Sequence, residues 1–237
     1  MENSYPSLIL YVGKMPGLDV SALRENLRQT QDALFSDLGV IVPLIQVEMD
    51  EMLPDGTFRL KINSQMQEMV AGLDMGEYWV YMSRETYQEY FAGTLGAQAE
   101  EFSVRDSVEP NSGSPAIIIK PSPAVQAMFL LTGKDLGSIM REVGLDVRDR
   151  LGYITFCVAA DLRRNVADLV TAGLTRYLLS KLEAKAPALV VAISQEIGLQ
   201  GLTQELQRRV AARQSIHDLP AILDEMLVAW AQAPTIL

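Results

Sequence analysis

Four carboxylates, Glu48, Asp50, Glu51 and Asp55, crowd the stretch VEMDEMLPDGTFRLKINSQ from Val47 to Gln65, and Arg59 and Lys61 follow two positions apart. Carboxylates at this density can hold a divalent cation, or divide into a general acid and a general base. They can also be the outward face of a strand, and the local pattern favours that. Phe58, Leu60 and Ile62 alternate with Arg59, Lys61 and Asn63, the period of a half-buried strand. Between the two runs, LPDGT is a turn signal, with Pro54 setting φ and Gly56 free to take a positive one. The runs therefore predict a hairpin in which Glu48 and Asp50 pair with Arg59 and Lys61. Opposite charges across a strand pair contribute roughly 0.2–1 kcal/mol each. Side chains that alternate between faces do not gather Asp50 and Glu51 around one ion, so no metal site is expected.

The other chemistry-bearing residues are few. His217 is the only histidine, so no pair of histidine ligands exists and any Ser-His-Asp arrangement must use it. It sits in SIHDLP, where Ser215 and Asp218 have the spacing of a capping box at a helix start. Cys157, the only cysteine, lies in ITFCVAA and reads as a buried, inert thiol. LLTGKDLG lacks the first glycine of a phosphate loop and puts Asp135 in place of the hydroxyl residue. Neither G-x-G-x-x-G nor G-x-S-x-G occurs. No catalytic residue and no cofactor is expected.

The elements that position these residues follow from periodicity. SLILYV (Ser7–Val12) reads as a buried strand. The next stretch carries Leu23, Leu27, Leu34 and Leu38 in a helical stripe, with Asp19 or Ser21 to cap it and Gly39 to end it. VIVPLIQVEM begins a strand whose Pro43 end belongs at a sheet edge. GEYWVYMS is an aromatic strand, RETYQEYFAGTL a short helix, EPNSGSP a loop and AIIIK a short buried strand. SPAVQAMFLLTG and GKDLGSIMREVG suggest two short helices, and YITFCVAA (Tyr153–Ala160) a last strand. From Asp161 onward the pattern is helical, broken at Pro187, at IGLQGL and at RQSIHDLP. This predicts an α+β protein: a small α/β sheet subdomain with a second α/β insertion, followed by a helical lobe. The expected division is 1–70 with 158–174, then 71–157, then 175–237.

Charge separates the two halves. Of 237 residues, 20 are basic and 30 acidic, and the whole excess of −10 lies in residues 1–150; residues 151–237 carry eight of each sign. An acidic front half is a poor phosphate binder, which argues against nucleic acid. It suits a basic partner or solubility alone. No apolar run approaches the roughly 18 residues of a membrane span, and MENSYPSLIL has no basic n-region, so the cytoplasm is expected. Two clusters could serve recognition. Tyr78, Trp79 and Tyr81 are of a type enriched in interface anchors, although strand alternation sends neighbouring side chains to opposite faces and one side can be core. Arg208, Arg209 and Arg213 gather near His217 and Asp218. They suit a head-to-tail contact with the acidic front of another copy, or a solvated helix face.

Two ordered stretches go further. ALRENLRQTQDALFSDLGVIVPLIQVEMDEMLPDGTFRLKIN (Ala22–Asn63) resembles the type III secretion and flagellar export-gate family, the FlhA/SctV or FHIPEP proteins. There a helix ends in a D-[LM]-G-[VF]-x-x-P turn, matched here by Asp37, Leu38, Gly39, Val40 and Pro43. A later [YF]-R-[IL]-x-[IL] strand is matched by Phe58, Arg59, Leu60 and Ile62. GYITFCVAADLRRNVADLVTAGLTRYLLSKLEAKAPALV looks like the family's G-[FY]-x-V-V strand and the helices after it, through Leu178, Leu179, Leu182, Pro187, Leu189 and Val190. LTQELQRRVAARQSIHDLPAILDEMLVAWAQAP is similar to a later family segment at Ile216, Asp218, Leu219, Ile222, Leu223 and Leu227, with His217 replacing the usual Arg.

The resemblance covers more than half of the chain in the family's order. It departs at the acidic arm Glu48 and Asp50, and the family's transmembrane half and last cytoplasmic subdomain are missing. It implies the cytoplasmic part of an export gate, at the inner-membrane face of a secretion apparatus. The implied partners are export chaperone–substrate complexes, gatekeeper proteins and copies of the chain in a homo-oligomeric ring, commonly nonameric. Membrane contact is implied only through the missing N-terminal half. The implied role is not enzymatic; the rival expectation is a small α+β hydrolase or transferase.

Overall fold

The computed structural model describes residues 6–94, 102–123, 125, 127, 136–142 and 144–232. Strand β1 (Leu8–Val12) buries Leu8, Leu10 and Val12 and turns Ile9 and Tyr11 to the other face. Helix α1 (Val20–Leu38) starts where the Asp19 carboxylate accepts the Ser21 and Ala22 amides at 2.9 and 3.0 Å. Its stripe of Leu23, Leu27, Leu34 and Leu38 is buried, as expected. Gly39 closes it at φ 74°, with its N–H donating to Phe35 at 2.8 Å. A Cβ there would stand 2.8 Å from the His217 nitrogen, so only glycine fits both the backbone and the space. Gln31, in line with the leucines, donates to the Val42 and Pro43 carbonyls and pins the segment that follows.

Strands β2 (Ile45–Met49) and β3 (Thr57–Ile62) do not pair with each other, which corrects the predicted hairpin. β1 lies between them, parallel to β2 and antiparallel to β3. The most apolar strand takes the centre, where both of its edges are bonded, because α1 returns the chain parallel to β1 and the 50–56 turn carries it across to β1's other side. Of the expected charge pairs, one forms: Arg59 reaches Asp50 at 3.6 Å. Among the described residues Glu48 and Lys61 have no ion pair, because Tyr11 stands between Glu48 and Arg59 in the register. The short strands β4 (Gln65–Met66) and β5 (Val70–Ala71) complete the five-stranded sheet on β3.

The second sheet has the order β7-β8-β6-β9, from β6 (Tyr78–Val80), β7 (Phe102–Val108), β8 (Pro115–Pro121) and β9 (Val147–Arg148). β8, inside this sheet, is buried on both faces, which explains the unbroken AIIIK run, while β7 at the edge is largely open to solvent. Ile117, Ile119, Val80 and Val147 form a small core with Tyr87 of α2 (Arg84–Thr94) and Met140 of α3 (Leu136–Glu142). Trp79, Ala116 and Ile118 face the other way, into the main core. Most of SPAVQAMFLLTG, and Lys134 and Asp135 of the glycine-lysine-aspartate stretch, lie outside the described residues.

Tyr153–Ala160, expected as a strand, is helix. It belongs to α4 (Arg150–Arg164), which begins with Asp149 accepting the Gly152 amide at 2.8 Å. A short apolar run rich in β-branched residues cannot be assigned by period alone. Here the spacing of Tyr153, Ile154, Cys157, Val158 and Leu162 buries a helical stripe. α4 packs on α1, on β3 and on β9, so both sheets rest against it.

The helical lobe comprises α5 (Val166–Leu169), α6 (Ala172–Glu183), α7 (Pro187–Glu196), α8 (Gly198–Ala211) and α9 (Leu219–Gln232). Pro187 occupies the first turn of α7, where its missing N–H costs no bond. Leu179, Ile193, Leu206, Val210 and Ile222 join the same core as β1 and α1. The architecture is thus α+β, with two small sheets and a C-terminal helical region.

Candidate functional site

Within β6 Trp79 turns away from Tyr78 as alternation requires, while the Tyr81 ring, two residues on, lies 6.1 Å from that of Trp79. Trp79 is 0% exposed. Its ring lies 5.2 Å from Phe156 and 6.2 Å from Tyr153, both on α4. The Arg148 guanidinium sits 4.0 Å over Phe156. Trp79 is therefore core, a correction to its expected place in a docking surface. Tyr78 is half-buried and Tyr81 is 47% exposed. Tyr78 borders a cleft of about 170 Å³ between the β1–α1 loop, the strap before β6 and the start of α4. Asp74, Met75, Glu77 and Asp149 also line it. Glu77 accepts the Asp74 amide at 2.9 Å and an Arg105 nitrogen at 2.7 Å, which fixes the strap to β7. Arg150, which sequence reading did not single out, fastens this seam. It donates to the Leu73 carbonyl and to the Pro16 carbonyl, both at 2.7 Å.

A second cleft, about 310 Å³, lies where the β7–β8 turn meets α4 and includes Tyr153, Cys157, Asp161 and Arg164. Burial pushes the Cys157 thiol up to about 12. A thiol so displaced is protonated at neutral pH and is no nucleophile. Burial also raises Asp161, against the opposing pull of Arg164. Arg164 bridges Asp161 at 2.9 Å and the Pro110 carbonyl at 2.7 Å, tying α4 to the turn. Among the described residues, no group of three His, Cys, Asp or Glu is placed to hold a metal ion.

The expected basic cluster is divided. Arg208 reaches Glu205 at 2.6 Å; Arg209 reaches Glu205 at 2.8 Å and Glu225 of α9 at 2.5 Å. The spacing of Glu205 to Arg208 and Arg209, three and four residues along one helix, was the overlooked signal. Arg213 is exposed at φ 60°. His217 and Asp218 turn elsewhere. The His217 Nε2 stands 3.1 Å from the Ser36 carbonyl, so that nitrogen carries the proton and donates, and the ring meets Phe35 edge-on at 5.1 Å. Asp218 accepts the Ala221 amide at 3.2 Å and caps α9. Beside the arginines, a groove of about 520 Å³ is bordered by Ile197, Met226 and the half-exposed Trp230.

The Arg208 and Arg209 hydrogen bonds hold the Glu205 carboxyl below the usual carboxylate range, against the raising effect of burial. A lowered native pKa stabilises the fold above the unfolded-state value, and that contribution is lost as pH falls through the native one. Glu205→Gln is expected to cost about 0.5–1 kcal/mol at neutral pH, a modest figure because Arg208 stands in solvent. The gap to the native chain should close on acidification, as read by urea unfolding at a series of pH values. A gap that persists in acid would remove the ion pairs as its cause.

These parts define an α+β chain of two small sheets and a helical lobe, with clefts at the seams. The chain belongs to the FHIPEP family, whose sequence profile matches residues 7–236. It is 26% identical over 226 residues to the invasion protein InvA of Salmonella typhimurium, covering 94% of this chain and 29% of InvA. It thus spans less than a third of that relative's length. The fold is similar to that of the Chlamydia pneumoniae CdsV protein, with a TM-score of 0.68 at 20% identity over 95% of this chain and 63% of the other. It is also similar to the nonameric EscV cytosolic domain from the type III secretion system, with a TM-score of 0.60 at 18% identity over 98% and 61%.

Proposed function

We propose that this chain is the cytoplasmic part of a type III secretion or flagellar export gate. In this reading it is a non-enzymatic, ring-forming scaffold at the inner-membrane face of the apparatus, and it docks export substrates, chaperones and gatekeeper proteins. The observation that carries the reading is the family match along nearly the whole chain, supported by likeness in fold to a nonameric cytosolic domain. Among the described residues no helix is long and apolar enough to cross a membrane, so in this reading the membrane is met through another part of the apparatus. The proposed division is 1–70 with 158–174, 71–157 and 175–237. β1–β4 fall in the first part and β6–β9 in the second, and β5 straddles the cut. α4 spans the cut, its Tyr153 and Phe156 turned to Trp79 of the inserted sheet.

Docking is assigned to the seam cleft that Tyr78 borders, and to the exposed Tyr81 beyond it, on the acidic half of the chain. Copies are proposed to meet through the helical lobe around Arg208, Arg209, Arg213, His217 and Asp218. Because Glu205 and Glu225 already engage two of those arginines, Arg213 is the cation left for a neighbour. Titration of the purified chain with an export chaperone–substrate complex from the same cell tests the docking site. Tyr78→Ala with Tyr81→Ala should weaken binding by about fivefold or more without unfolding the chain, although Tyr78 packs on the second sheet's small core and its loss lowers the melting temperature. Unchanged affinity rejects the seam, and no binding of the native chain at about 100 µM rejects docking by this part of the gate.

A further inference from the structure

We propose that the open edge of β2 is a strand-docking surface for an extended peptide that alternates basic and apolar side chains. β2 ends the sheet order, and its main neighbours are β1 beside it and α1 across its core face. The Asp50 N–H donates inward to the Val12 carbonyl at 2.9 Å. Backbone groups alternate along a strand, so Gln46 and Glu48 also face β1, while Ile45, Val47 and Met49 turn their N–H and C=O to the free side. Native edges are blunted by lysine, proline, bulges or a covering element. Ile45–Met49 contains no lysine and no proline. The edge is instead flanked by apolar side chains in water: Leu44 is 72% exposed, Met49 57% and Met52 91%.

Charge names the guest. Glu48, Tyr11 and Arg59 lie in one row across the sheet. Asp50 takes Arg59 at 3.6 Å, and Arg59 leans over the Tyr11 ring. Glu48 is therefore exposed and without an ion pair among the described residues, on the strand next to which a guest would add, and exposed Glu51 and Asp55 follow at the strand's end. A guest strand would put a lysine or arginine opposite Glu48. Its neighbouring apolar residues would fall in the row of Val47 and Met49. Main-chain bonds to Val47 and Met49 would supply affinity, and the alternation would supply selectivity.

The test is an NMR titration of the labelled chain with an acetylated hexapeptide alternating lysine and valine. The expected result is shifted and exchange-protected amides at Val47 and Met49, with Gln46 and Glu48, already bonded to β1, protected throughout. Glu48→Lys, a surface change, should weaken this peptide by about fivefold and favour one alternating glutamate and valine. A lysine–valine peptide N-methylated on its β2-facing edge should not bind. No shift at Val47 and Met49 up to about 1 mM peptide overturns the proposal. So does equal binding of the N-methylated peptide, or indifference to the charge at residue 48. Concentration-dependent protection of Val47 and Met49 without peptide would assign the edge to a second copy of the chain instead.

Discussion

Trp79→Ala is expected to lower the stability of the chain by about 3–5 kcal/mol, the cost of deleting a large buried aromatic whose cavity cannot fully collapse. Trp79 projects from β6 of the second sheet into the core that the first sheet and α4 share. Phe156 and Tyr153 flank it and Arg148 stacks above Phe156, so its removal leaves a gap at the joint between the sheets. Its indole N–H is buried without an acceptor among the described residues, so Trp79→Phe, which deletes that orphan group, should cost far less than the alanine change. Urea unfolding followed by circular dichroism and by the emission of Trp230, the other tryptophan, gives the measurement. Tyr81→Ala, at an exposed position, should stay within about 0.5 kcal/mol of the native chain. A Trp79→Ala cost no larger than that of Tyr81→Ala would show that the sheets are joined by other contacts.

Loss of the Arg150 clasp is the second large effect expected. One guanidinium holds the Leu73 carbonyl, just before the strap to the second sheet, and the Pro16 carbonyl, in the loop before α1. Arg150 itself begins α4. Three segments distant in sequence therefore meet on one side chain. Hydrogen bonds to charged groups contribute about 1.5–3 kcal/mol each when buried, and this site is partly open to solvent. Arg150→Met should cost about 2 kcal/mol, below the sum of two such bonds. It should also speed amide exchange in residues 72–77 and 17–19, whose opening the clasp opposes. Lysine keeps the charge but not the planar fork that spans two carbonyls, so Arg150→Lys should recover only part of the loss. A lysine variant equal to the native chain in stability and exchange would reduce the clasp to a simple charge effect.

Much of the chain could be read locally. The stripe of Leu23, Leu27, Leu34 and Leu38, the Asp19 cap and the Gly39 stop are properties of neighbouring residues, and they specify α1 whatever packs on it. The alternation of β3 and the proline at the start of α7 are local in the same sense, the cap expected at Ser215 falls instead at Asp218, and the ordered motifs were enough to point to the family. What could not be read depends on partners far along the chain. LPDGT turns the chain whether β2 and β3 pair or β1 stands between them, and only the return of α1 decides it. YITFCVAA buries the same apolar groups as a strand or as a helix, and the two sheets that close on α4 select the helix. Alternation separates Trp79 from Tyr78 but does not say which side is wet; α4 does. Local spacing was also enough to pair Glu205 with Arg208 and Arg209, whereas Glu225 enters that network only because α9 packs back beside α8. Caps and periodicity are set within a turn or two of the chain, while strand order, burial and seams follow from which surfaces meet after it has folded.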